Sequence, residues 1–214
     1  MNELKKKLKK GLLITFEGID GSGKTTILNK IKNNNIIRSL DPIYTSEPSK
    51  LFYTYNILKS FFYSKNNDPI EELFLFMANH AKHINNIIKP HIQKRDIIFC
   101  DRYIDSRCAY QGATLNGIIP NPINFISSIH NIWSIKPNLT FFIDINVETS
   151  IKRCNMRIKN TKFENKKFLD LVNINFKKII ESDPKRFIIL DGKQSINNLE
   201  EIIVSKILNM LKNN

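Results

Sequence analysis

The sequence predicts an α/β fold in three layers, a five-stranded parallel sheet flanked by helices. Three observations predict it. Five short apolar runs recur along the 214 residues, with helix-length segments between them, and this alternation builds βαβ crossovers. The first run opens directly onto a glycine-rich turn and then a helical pattern. No repeat, low-complexity block or Pro/Gly-rich linker divides the chain, so residues 1–214 read as one domain.

Each element has its own local reason. The first strand, 11–17, contains Leu12-Leu13-Ile14-Thr15-Phe16, a run that suits a strand buried on both faces. A helix over 25–33 follows, with Ile27, Leu28 and Ile31 on one face. The second strand is placed at 42–45, ahead of a helix over 51–63 and a long one over 70–93. The third, 96–100, is Ile97-Ile98-Phe99-Cys100, followed by helices over 105–112 and 122–132. The fourth strand, 139–144, leads to a helix over 147–158, and a helix over 165–182 precedes the fifth strand, 187–190. A helix over 196–211 closes the pattern. The lysines at 5–7 and 9–10 read as a solvated tail over 1–10.

The glycine-rich turn carries the chemistry. Gly18-Ile19-Asp20-Gly21-Ser22-Gly23-Lys24-Thr25 has the spacing G-x4-G-K-[ST], and it holds three of the chain's seven glycines. Such a loop wraps a phosphate so that successive N–H groups point inward at a helix N-terminus. Lys24 would reach the β- and γ-phosphates and the Thr25 hydroxyl would ligate Mg²⁺. Residues Gly18 to Thr26, Ile19, Asp20, Gly21, Ser22 and Gly23 among them, are therefore the candidate nucleoside-triphosphate site in a fold of the P-loop NTPase type.

Loops after parallel strands gather at the carboxyl edge of the sheet, where ligands bind. Ser46-Glu47-Pro48 follows the second strand and Asp101-Arg102-Tyr103 the third. Asp101 is placed either to hold Mg²⁺ or to cap the next turn; Arg102 is placed either to clamp a phosphate or to form a surface ion pair. Arg153, Arg157, Lys159 and Lys162 follow the fourth strand. They are either cations complementing a helix C-terminus or part of a lid over 154–165 that closes on phosphates.

Composition narrows the partners. The net charge is +13 and the pI about 9.6, but the lysines are scattered and no zinc-finger or RNA-binding signature is present, which argues against specific nucleic-acid binding. The odd number of cysteines, Cys100, Cys108 and Cys154, without metal-like spacing, reads as reduced thiols in a cytoplasmic protein. No run is long enough to span a membrane. His80 and His83 have an i, i+3 spacing but no further ligands nearby in sequence, so a metal site is not expected there.

Phe16-Glu17-Gly18-Ile19-Asp20-Gly21-Ser22-Gly23-Lys24-Thr25-Thr26 resembles the opening of a thymidylate kinase, as do Asp101-Arg102-Tyr103-Ile104-Asp105-Ser106 and Ala109-Tyr110-Gln111-Gly112. Leu75-Phe76-Met77-Ala78-Asn79-His80 resembles that family's base-binding helix, Phe163-Glu164 the end of its lid, and Ile188-Ile189-Leu190-Asp191-Gly192 its late strand and turn. The resemblance implies that Asp20 contacts the deoxyribose 3′-hydroxyl and that Phe76 stacks on thymine. By the same resemblance Arg102 holds the acceptor phosphate, and Tyr110, Gln111 and Glu47 line the acceptor pocket. It puts Arg153 against adenine, and Arg157 and Lys162 over the transferring phosphoryl group. Three departures stand out: Ser46 where the family usually has Arg, His80 where it usually has the Arg that meets a thymine carbonyl, and Thr161-Lys162 where it usually has Asp-Arg. Gly21 stands where some members place a phosphate-loop arginine.

The resulting expectation is an enzyme transferring phosphate from ATP to dTMP with Mg²⁺, with Lys24, Arg102, Arg157 and Lys162 as catalytic cations, working as a homodimer. His80 is expected in the base pocket, where an arginine would bind dTMP more tightly. The alternatives are a kinase for another pyrimidine monophosphate and a catalytically weak homologue that uses nucleotide as a switch.

Overall fold

The computed structural model describes residues 8–63, 67–155 and 165–212. Its sheet has five strands: β1 (Leu12–Glu17), β2 (Ile43–Ser46), β3 (Ile97–Asp101), β4 (Leu139–Asp144) and β5 (Phe187–Asp191). They run in the order β2-β3-β1-β4-β5 with every pairing parallel. Every residue of β1 is buried, as its continuous apolar run requires at the centre of a sheet covered on both faces. Alternate side chains point to opposite faces: Leu12, Ile14 and Phe16 enter one core, with Ile27, Ile31, Ile203 and Ile207. Leu13 enters the other, beside Ile88, Ile98 and Tyr103.

The helices are α1 (Lys24–Lys32), α2 (Asn35–Ser39), α3 (Tyr53–Tyr63), α4 (Pro69–His83), α5 (Lys89–Gln93), α6 (Ile104–Thr114), α7 (Pro122–Trp133), α8 (Val147–Asn155), α9 (Lys166–Ser182) and α10 (Ile196–Lys212). Strand limits agree with the sequence reading to within one residue; the helices differ in instructive places. The long helix expected over 70–93 is interrupted by a π-turn, Ile84–Ile88, between α4 and α5. Pro90 has no N–H to bond back four residues, so the hydrogen-bond register shifts ahead of it while the rod continues. The short α2 was not expected; its five residues carry too little periodicity, and it is held by the Asn34 side chain accepting from the N–H groups of Ile36 and Ile37. Within the expected tail, Leu8 is buried in the core, whereas Lys9 and Lys10 are exposed. A lone apolar residue among lysines has no period to reveal it.

One helix sets the arrangement of the site. From Asp105 to Ala113 every residue of α6 is buried, the polar ones included. Arg186, just before β5, grips Asp105 through two hydrogen bonds of 2.6 and 2.8 Å and also donates to Thr140 on β4. Glu17, at the end of β1, accepts from the N–H groups of Tyr103 and Ser106 and from the Ser106 hydroxyl. These bonds fix the start of α6 against the sheet.

Arg186→Ala should therefore lower the free energy of unfolding by about 3–5 kcal/mol, because it leaves the Asp105 carboxylate buried and unpaired. Asp105→Ala/Arg186→Ala should lose less than the sum of the single changes. Urea unfolding followed by the fluorescence of the single tryptophan, Trp133, measures this; a loss below about 1 kcal/mol for Arg186→Ala would contradict it.

Candidate functional site

The loop between β1 and α1 has the backbone that its glycines permit, with Gly18, Gly21 and Gly23 all at positive φ. Gly23 caps α1 without any side-chain hydrogen bond, and no acidic residue occupies the first turn. The first N–H groups of α1 are thus not taken by a capping side chain, as an incoming phosphate requires. A side chain at Gly21 is excluded twice over: φ is +75°, and a Cβ would lie 2.6 Å from the Ser150 carbonyl oxygen of α8. The phosphate loop therefore cannot supply an arginine of its own.

Lys24 is folded back onto this loop. Its Nζ donates to the carbonyls of Gly18 and Ile19 at 2.8 and 2.9 Å and to Ser22 Oγ at 3.2 Å. Burial, with the charge of Arg102 next, pushes its pKa down to about 8.

Sheet register brings the acceptor side to the same edge. Phe16 pairs with Asp101 and Asp101 with Ser46, so Glu17, Arg102 and Glu47 all follow at one level. The Thr25 hydroxyl donates to Asp101 Oδ2 at 3.0 Å, joining the two expected metal ligands. Arg102 sits at φ 66°, a conformation rare for a side-chain-bearing residue and one found where function holds it. Its Nη2 donates to Asp20 Oδ1 at 2.6 Å and its Nη1 to the Gly18 carbonyl and Ser106 Oγ, while the Tyr110 ring lies 4.9 Å from the guanidinium. The Tyr110 hydroxyl donates to Asp20 Oδ2 at 3.1 Å. In this form of the protein Asp20 orients Arg102 and Tyr110. Asp20, Thr25, Asp101 and Arg102 line a cleft of about 260 Å³ together with Ser46, Glu47, Lys50 and Phe62. Lys50, which sequence reasoning passed over, brings a cation to the cleft where Ser46 brings none.

Deeper in lies a buried polar cluster. Glu47 Oε1 accepts from Nδ1 of both His80 and His83 at 2.6 Å, and Oε2 accepts from Arg107 at 2.6 Å. Burial alone would raise the Glu47 pKa, but His80, His83 and Arg107 hold it well below the carboxylate range. His80 is fully buried, with its Nε2 2.9 Å from the Ser134 hydroxyl and its ring packed on Tyr103, His130 and Trp133. Burial lowers its pKa against the pull of Glu47, so the ring is neutral at pH 7, donating through Nδ1 and accepting through Nε2. Where the resemblance places His80 in the base pocket, the structure engages both of its nitrogens, Nδ1 with Glu47 and Nε2 with Ser134. An arginine there would enter an enclosed site beside Arg107 rather than improve a pocket.

Phe76 faces Phe62 at 6.1 Å and the Arg107 guanidinium at 5.3 Å. Gln111 is buried and donates to Glu72 at 3.1 Å. Glu17, Glu72 and Arg107 were not picked out from sequence. Arg107 had a usable signal, since it lies three and four residues before Tyr110 and Gln111, on the same face of α6. On the other side of the phosphate loop, Arg153 reaches the carbonyls of Gly21, Ser22 and Gly192 at 3.3–3.5 Å, beside a cleft of about 340 Å³ lined also by Thr26 and Gln194. Of the expected lid over 154–165, Cys154 is buried and packs beside Gly21, and Asn155 ends α8. Arg157, Lys159, Lys162, Phe163 and Glu164 lie outside the described residues.

Residues 16–203 match the family model for thymidylate kinase. The chain is 42% identical over 205 residues to a probable thymidylate kinase of Methanosarcina barkeri, covering 96% of this chain and all of that protein. It is 40% identical to one from Methanosarcina acetivorans, covering 95% of this chain and 98% of that protein. With one from Halobacterium salinarum it shares 36% identity, covering 86% and 89%.

The burial of Lys24 makes triphosphate binding sensitive to pH. Phosphate oxygens stabilise the ammonium, so its pKa rises from about 8 on binding. Affinity for ATP should then be flat below neutrality and fall by up to about tenfold per pH unit above about pH 8. Calorimetric titrations of the wild type and Lys24→Met across this range measure it. Affinity that holds constant to about pH 9.5 in the wild type would show that Lys24 is not the titrating contact.

Proposed function

The chain belongs to the thymidylate kinase family and phosphorylates dTMP to dTDP; we propose that it uses ATP·Mg²⁺, with the phosphate loop and Arg102 aligning donor and acceptor in one cleft. The observation that carries this reading is the meeting, at one sheet edge, of Lys24, Thr25 and Asp101 with an Arg102 already braced by Asp20 and Tyr110. A switch protein has no need of that second half.

In the reaction a 5′-phosphate oxygen of dTMP attacks the γ-phosphorus of ATP and the bond to the β–γ bridging oxygen breaks, giving dTDP and ADP. The acceptor oxygen is already anionic, so no general base is needed, and catalysis rests on alignment and charge neutralisation. Lys24 exchanges its bonds to the Gly18 and Ile19 carbonyls for the β- and γ-phosphate oxygens. Arg102 holds the acceptor phosphate, Phe76 stacks on thymine and Arg153 lies along adenine. Thr25 and Asp101 offer hard oxygen ligands 3.0 Å apart, a donor set that fits Mg²⁺ completed by phosphates and water. The metal neutralises charge on the β- and γ-phosphates when bound. Since Gly21 excludes a side chain, we assign the remaining positive charge to Arg157 and Lys162.

A homodimer accords with exposed apolar residues such as Leu51, Phe74 and Ile132. A cytoplasmic setting accords with three free, buried cysteines. Among the described residues no helix is long and apolar enough to cross a membrane.

ADP release should be stimulated strongly by dTMP, less by dUMP, and hardly by AMP, GMP or thymidine. A coupled assay with each acceptor and a no-acceptor control decides this; equal rates throughout would leave only an ATPase or switch. Arg157→Ala should lower kcat by about 10²–10³-fold, with a much smaller change in nucleotide affinity. Wild-type kcat in that variant would remove Arg157 from the mechanism.

A further inference from the structure

We propose that Arg107 reads the pyrimidine base, donating to the carbonyl at C4 of thymine and so setting the preference for thymine over cytosine. The inference rests on the dTMP kinase reading and names the residue that gives it base specificity. Arg107 projects from α6 and is 3% exposed. Its Nη2 is pinned to Glu47 Oε2 at 2.6 Å, and Glu47 is itself held from the far side by His80 and His83. The guanidinium is therefore fixed in place before any ligand arrives.

Its other two nitrogens, Nε and Nη1, are buried and have no hydrogen-bond partner among the described residues. Charged donors left unmatched in the interior are costly, and a structure that keeps them there is suited to an acceptor that comes with the ligand. The position points to what that acceptor is. The guanidinium lies 5.3 Å from the ring of Phe76, so a base stacked on Phe76 brings its edge within reach of Arg107. Thymine and uracil offer a carbonyl oxygen at C4; cytosine offers an amino group, which would set N–H against N–H. His80 cannot take this role, because its two nitrogens are engaged by Glu47 and Ser134. Glu47 balances the charge of Arg107, so a neutral base meets a pocket without excess charge. The 5-methyl group lies off this edge, and discrimination between dTMP and dUMP should not depend on Arg107.

The test uses the whole chain and calorimetric titration. Arg107→Lys keeps a cation for Glu47 but loses the fork of donors. It should raise the dTMP dissociation constant about tenfold or more, as expected for charge-assisted hydrogen bonds. The dTMP-to-dCMP affinity ratio should fall by the same factor, with ATP affinity unchanged. A merely structural role for Arg107 would shift melting temperature and weaken both monophosphates alike. A folded Arg107→Lys protein with the wild-type ratio would overturn the proposal. Should Arg107→Lys fail to fold, the wild type carries the test with dTMP against 5-methyl-dCMP, which differ only along this edge: equal affinities would overturn the assignment and at least a tenfold preference for dTMP would support it. Absence of dTMP-stimulated ADP release in the wild type would instead be a failure of the kinase reading.

Discussion

Between Asp105 and Gln111 a single helix carries two charged residues, a serine, a tyrosine and an amide into the interior, and neighbouring elements are placed to answer them. Arg186 answers Asp105 from just before β5, Glu17 answers Ser106 from β1, Glu47 answers Arg107 from just after β2, Asp20 answers Tyr110 from the phosphate loop, and Glu72 answers Gln111 from α4. A buried charge or amide without a partner costs several times what a surface hydrogen bond contributes. Matching these groups therefore constrains where the sheet edge, the phosphate loop and α4 can lie around α6. Two of the residues that answer α6, Asp20 and Glu47, also line the cleft, so the same constraint shapes that side of the site.

The same network decides what is ready before substrate binds. Arg102 needs no reorientation of its backbone, being held at positive φ by its bond to the Phe16 carbonyl and at its tip by Asp20. Lys24 is tied to loop carbonyls, which in the proposed reaction phosphate oxygens displace because they bear full charge. Donors fixed before the reaction cost no reorganisation during it, which is how a site of few groups stabilises charge on a transferring phosphoryl group.

Burial also sets the charge state of the cluster. Glu17, enclosed and near Asp105, is pushed up to about 7, whereas Glu47, equally enclosed, is held low by two imidazoles and a guanidinium. Two carboxylates at the same level of the sheet edge, one on either side of β3, thus differ because their neighbours differ, not because their exposure does.

The sequence by itself determined the sheet, the phosphate loop and the chemistry gathered at the carboxyl edge, because each depends on local pattern: apolar runs that suit buried strands, and glycines that only one kind of loop requires. It also determined that Asp101 and Arg102 stand at the carboxyl end of β3, since strand and motif are contiguous. The tertiary structure alone decided which side of Glu47 each polar residue occupies. His80 and Phe76 share a helical face in sequence, yet His80 is sealed against Ser134, and the guanidinium beside Phe76 comes from Arg107 on another helix. Helical spacing reports which residues share a face, but not whether that face meets a ligand or a polar core, because both are lined by the same residue types. Only the packing of α6 against α4 separates the two.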